Sequence, residues 1–119
     1  MKHNKDVQVL GNIILYCDEV TMVLEACDGS IERFEESPLL RNACAMPLSQ
    51  IGELATHLSD DAIAGIPEIP WRNVQGLRDF FPHGCHHLNV QVMWESAEED
   101  IPMLRKACDQ YIGDRHLSI

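Results

Sequence analysis

The densest run of reactive side chains extends from Gly76 to His87 and reads Gly-Leu-Arg-Asp-Phe-Phe-Pro-His-Gly-Cys-His-His. It sets one cation (Arg78), one carboxylate (Asp79) and three imidazoles (His83, His86, His87) beside Phe80 and Phe81. These are the types that RNA cleavage without a metal requires. A base with a near-neutral pKa must take the proton from a ribose 2′-hydroxyl, and histidine suits that task. A fixed cation must offset the charge that builds on the phosphate oxygens, and the planar fork of arginine does this better than lysine. Asp79, next to the arginine, is placed to orient either partner. The plainer alternative makes Arg78 a surface cation, His83 a helix-end histidine and Asp79 a bridging partner of Arg78.

The spacing bears on how such a pair would work. Five residues at about 100° each put Arg78 and His83 roughly 140° apart on a straight α-helix, too far to share one face. Pro82 disfavours helix at Phe81, so the backbone can turn before His83. A two-fold axis near this helix would alternatively bring two arginines and two histidines into one cleft. One other use of the cluster is open. His83, Cys85, His86 and His87 offer imidazole and thiolate donors of the kind zinc takes, although no second ligand cluster of suitable spacing accompanies them. The expectation is therefore no metal and no cofactor, with Arg72, His86 and His87 as further contacts to RNA or a nucleotide.

The chain has 119 residues and a net charge of −10. That length predicts one domain over residues 1–119, and that charge argues against a protein that coats nucleic acid by bulk attraction. The acids are unevenly spread, however: between Glu68 and Glu95 the only one is Asp79, while Arg72, Arg78, His83, His86 and His87 all fall there. The five cysteines (Cys17, Cys27, Cys44, Cys85, Cys108) are odd in number and contain no Cys-x-x-Cys, so reduced thiols, mostly in the core, are expected. No apolar run approaches the ~18–20 residues that span a bilayer, and the N-terminus leads into no signal-peptide core. A cytoplasmic protein without a membrane partner is the expectation.

The elements that must position the cluster read as helices. Apolar residues recur at Val7, Leu10, Ile14, Cys17, Leu24 and Cys27, giving a long amphipathic helix that stops at Asp28-Gly29. Ser30 caps a short helix from Ile31 to about Glu36. Ser37-Pro38 opens a third, with a stripe of Leu40, Cys44, Leu48, Ile51, Leu54 and Leu58, in which Pro47 should kink or divide the helix. Residues 59–70 read as a connector. A fourth helix starts near Pro70-Trp71 and holds Val74, Leu77, Phe80 and Phe81. Asn89 caps a last helix with the seam Val90, Trp94, Ala97, Ile101, Leu104, Cys108 and Tyr111, bent at Pro102. Trp71 and Trp94 read as packing residues, and Gly52 as the point of a close helix contact. No two-residue alternation is sustained. The fold class is all-α, an antiparallel up-down bundle of four main helices plus a short one.

Arg78-Asp79 followed by His83 has the form of the R-x-x-x-x-H motif of the HEPN superfamily, in which a polar residue usually follows the arginine. The chain further resembles the HepT-like branch in Ile51-Gly52-Glu53 on a middle helix, in Pro67-Glu68-Ile69-Pro70-Trp71 before the motif helix, and in Gly76-Leu77-Arg78-Asp79. Met93-Trp94-Glu95 and Asp100 to Leu104 continue the likeness, which runs without gaps from about Trp71 to Leu104. The resemblance implies an all-α homodimer with a cleft at its interface and a ribonuclease toxin that cleaves by 2′-hydroxyl transesterification. Arg78 would stabilise phosphate charge, His83 would act as general base or acid, and Asp79 would assist. It also implies a cognate nucleotidyltransferase antitoxin of the MNT type, which adenylylates a tyrosine two residues after the motif histidine. Here that position is Cys85, which has no phenol to modify, and Pro82 stands where a small or aliphatic residue is usual. A rival expectation is a non-catalytic helical dimer that holds a nucleotide or the nucleotidyltransferase.

Overall fold

The computed structural model describes residues 2–80 and 90–117. Its first helix, α1 (Lys2–Ala26), buries Leu10, Ile13, Cys17, Val20 and Val23 along one stripe. Both turns of that 3–4 residue spacing face the same way, so one side of the helix must be covered. The helix stops in a paired left-handed turn. Asp28 has φ 52° and Gly29 has φ 71°, and their amides reach back to Glu25 O and Leu24 O at 3.0 and 3.2 Å. Those are the two bonds of a Schellman stop, so Asp28 shares the role that the sequence assigned to Gly29.

Two serines then start two helices as expected. Ser30 Oγ accepts from the Arg33 amide at 3.3 Å to cap α2 (Ile31–Glu36). Ser37 Oγ accepts from Leu40 N at 3.1 Å to cap α3 (Pro38–Ala55), whose first residue is Pro38. Pro47 does not divide α3, which runs unbroken. Cys44, Leu48 and Ile51 on either side are fully buried, and their packing against α1 outweighs the roughly 3 kcal/mol that an internal proline costs.

The stretch expected as a connector is more ordered than its composition suggests. Ser59 caps a further short helix, α4 (Asp60–Gly65), and is itself held by α1: Asp6 accepts from Ser59 N at 3.0 Å and from Ser59 Oγ at 2.6 Å. Asp6 is only 3% exposed, so this buried carboxylate fixes the start of α4. Local periodicity cannot show a helix of six residues whose anchor lies 53 positions away.

After α5 (Trp71–Gly76) and a 3-10 turn (Leu77–Asp79), the last helix runs as α6 (Val90–Glu95), a π-helical segment (Ser96–Asp100) and α7 (Ile101–Leu117). All seven residues of the expected seam, from Val90 to Tyr111, are buried. The π segment is the form that the expected distortion at Pro102 takes. A proline offers no N–H and its ring collides with the carbonyl four residues back, and a wider turn relieves both. Trp94 packs against Phe34 with ring centroids 5.2 Å apart.

The result is an all-α bundle in which α1 lies against both α3 and α7 around one core. Cys17, Cys27, Cys44 and Cys108 are buried in it as free thiols. One expectation changes. By length and composition, Lys5–Ala26 is long and apolar enough to cross a membrane. Polar residues interrupt that segment, and its buried stripe supplies part of the bundle core.

Candidate functional site

Arg78 is placed by the short motif helix. Trp71, Val74 and Leu77 fall at three-residue intervals and are all buried, which presses α5 and the following turn onto α3. The entry of α5 is fixed by Trp71, whose indole N–H donates to Ile66 O at 3.1 Å. The reading of Trp71 and Trp94 as packing residues therefore holds. The helix tightens at Leu77–Asp79 into a 3-10 turn, where the sequence suggested a continuous α-helix to Phe81. That turn carries Arg78 and Asp79.

The close contact expected at Gly52 is made with Arg78 itself. A Cβ on Gly52 would stand 2.3 Å from Arg78 N and 3.0 Å from both Arg78 Cα and Gln75 O. No side chain fits there, so α3 and the motif turn meet backbone to backbone. One turn earlier on α3, Ser49 Oγ donates to Arg78 O at 2.9 Å. The Arg78 backbone is thus held while its side chain is exposed. Asp79 is exposed as well, and among the described residues neither forms an ion pair with the other or with a third group. The bridging alternative for Asp79 finds no support there.

Arg72, on α5, lines a groove of about 530 Å³ between α5 and the last helix. Asp100 lines the facing wall, and Val92 and Met103 are on its rim, 52% and 59% exposed. Arg78 does not line this groove, so the two arginines, six residues apart, serve different surfaces. His83, Cys85, His86 and His87 lie outside the described residues, as do Pro82 and the cap expected at Asn89. The zinc alternative rested on those four donors; among the described residues no three His, Cys, Asp or Glu side chains group to hold a metal.

Two pairs went unnoticed in the sequence. Glu53, beside Gly52, faces solvent and lies 3.5 Å from His57 Nε2 on the same side of α3; the i,i+4 spacing was the available signal. Arg105 Nε meets Asp18 Oδ1 at 2.6 Å and links α7 to α1, a pairing 87 positions long that no local rule finds. The described thiols offer no nucleophile. Burial pushes Cys17, Cys44 and Cys108 up to about 12, far from thiolate at neutral pH.

Residues 14–111 match the family described as "Ribonuclease HepT-like". Among curated proteins, the chain is 29% identical over 92 residues to "Putative RNase TTE0752" of Caldanaerobacter subterraneus subsp. tengcongensis, covering 71% of this chain and 82% of that one. It is 27% identical over 105 residues to "Putative RNase MJ0125" of Methanocaldococcus jannaschii, covering 88% and 89%. It is 38% identical over 58 residues to "Probable ribonuclease HepT" of Thermococcus cleftensis, covering 49% and 53%. No solved structure matches the chain.

Proposed function

The chain belongs to the HepT-like ribonuclease family, and from that premise we propose that it is a metal-independent RNA endonuclease of the toxin–antitoxin kind. His83 takes the proton of a ribose 2′-hydroxyl. The 2′-oxygen attacks the adjacent phosphorus, the bond to the 5′-oxygen breaks, and the partner subunit's His83 or water protonates the leaving oxygen. Arg78 holds the charge on the non-bridging oxygens, where a fixed guanidinium acts more strongly than a mobile one. A 2′,3′-cyclic phosphate is the first product.

The observation that carries this reading is a held Arg78 backbone together with an exposed Arg78 side chain that pairs with no described residue. Two chains are proposed to form the cleft, with a two-fold axis near the motif turn bringing both Arg78/His83 pairs to one RNA strand. The antitoxin would be a nucleotidyltransferase of the MNT type, acting by binding, since Cys85 offers it no phenol. The test is incubation of the protein with RNA in EDTA, with end-group analysis of the products. Activity lost on chelation, or kept in full by His83→Ala, removes the proposal.

Cys85 in place of the tyrosine, together with the net charge of −10, favours one rival: a dimer that binds a nucleotide or a nucleotidyltransferase without cleaving RNA. A stable complex with such a partner and no cleavage by the free dimer would select it.

A further inference from the structure

The carbonyl of Arg78 has an unusual need. In a continuing α-helix it would accept from the amide four residues on, and that residue is Pro82, whose nitrogen carries no hydrogen. The donor that meets this carbonyl comes instead from across the fold, as the Ser49 hydroxyl at 2.9 Å. Three residues along the same face of α3, Gly52 leaves room for the Arg78 amide and Cα, which a Cβ would meet at 2.3 and 3.0 Å. The two flanks of one Cα are therefore held by two residues of one helix: the amide side by contact and the carbonyl side by a hydrogen bond.

We propose that Ser49 and Gly52 are positioning residues for Arg78, and that Ser49 supplies the hydrogen-bond donor that Pro82 lacks. The inference rests on Arg78 being the phosphate-binding cation. With the Cα and its two peptide groups fixed, the direction of the Cα–Cβ bond is fixed. The long side chain then searches a smaller volume around the phosphate. Misplacement of a catalytic group by an ångström is enough to slow a reaction by up to about a hundredfold. Ser49 touches no substrate in this scheme; it acts only through the turn.

The experiment measures RNA cleavage and backbone ¹⁵N order parameters over Leu77–Phe80 in the natural chain and in Ser49→Ala, Ser49→Thr and Arg78→Ala. Ser49→Ala is expected to lower kcat about tenfold, to change KM less than about twofold, and to lower the order parameters of the turn. Ser49→Thr keeps the hydroxyl and restores both. Unchanged kcat and unchanged order parameters in Ser49→Ala overturn the inference. Full cleavage by Arg78→Ala, by contrast, sinks the ribonuclease site itself, and the order parameters still decide whether Ser49 holds the turn.

Discussion

The α-carbon of Gly52 faces the backbone of Arg78 so closely that a Cβ would stand 2.3 Å from the Arg78 nitrogen. The neighbour is main chain and cannot rotate aside. Gly52→Ala must push α3 and the motif turn apart, and overpacking of this kind typically costs about 1–3 kcal/mol. The higher helix propensity of alanine, about 1 kcal/mol in its favour, offsets only part of that. We expect a lower Tm and a loss of RNA cleavage larger than the stability change explains; thermal melts alongside cleavage assays check it.

Arg78 is exposed and pairs with no described residue, so its replacement should leave the fold intact. Arg78→Ala is expected to melt within about 0.5 kcal/mol of the natural chain while cleavage falls on the order of 10²–10³-fold, the loss usual for one group that stabilises transition-state charge. Arg78→Lys should recover only part, because an ammonium lacks the planar fork. Cleavage rates with matched urea unfolding curves separate the two effects.

Asp6 accepts two hydrogen bonds from Ser59 and is almost fully covered. Asp6→Ala leaves the Ser59 amide and hydroxyl without that acceptor and loosens the start of α4. A loss of about 2 kcal/mol is expected, read as a lower urea midpoint. Hydrogen exchange should rise first in α4, which the Trp71 indole joins to the motif helix through Ile66.

Stability should fall in alkali. Cys17, Cys44 and Cys108 are pushed from 9.0 to about 12 in the folded chain, chiefly by burial. A group whose folded pKa lies above its unfolded one contributes fully below the unfolded value, and its contribution is lost as pH rises towards the folded one. The window therefore opens near pH 9. Within it each thiol lowers unfolding free energy by up to ~1.4 kcal/mol per pH unit. Urea unfolding under reducing conditions from pH 7 to pH 10.5 should show a flat limb and then a decline, and Cys17→Ala should make the decline shallower although it lowers stability at pH 7.

Much of the architecture is legible in the residue order because it follows from local rules. Ser30 and Ser37 announce helix starts by their hydroxyls, Asp28-Gly29 announces a stop by backbone conformation, and the seam from Val90 to Tyr111 announces a buried face by its period. Arg78 and Asp79 are legible as candidates by type and spacing, and the family by the ordered set of motifs from Ile51 to Leu104. The helix at Asp60–Gly65 escaped because its anchor, Asp6, is remote in sequence. The unbroken path of α3 through Pro47 escaped because propensity weighs one residue, whereas burial of Cys44, Leu48 and Ile51 weighs the whole face.

The sequence by itself determined most of the helices, the faces they bury and which side chains carry charge near the motif. Those are properties of neighbours a few positions apart, set by backbone sterics and by the period of apolar residues. Only the tertiary structure decided that the Arg78 carbonyl finds its donor in Ser49, that Gly52 is the surface it rests on, and that Arg72 turns to a different groove. Each depends on groups that meet only once the core has closed, because hydrogen bonds and contact distances between remote positions are fixed by packing and leave no period in the chain.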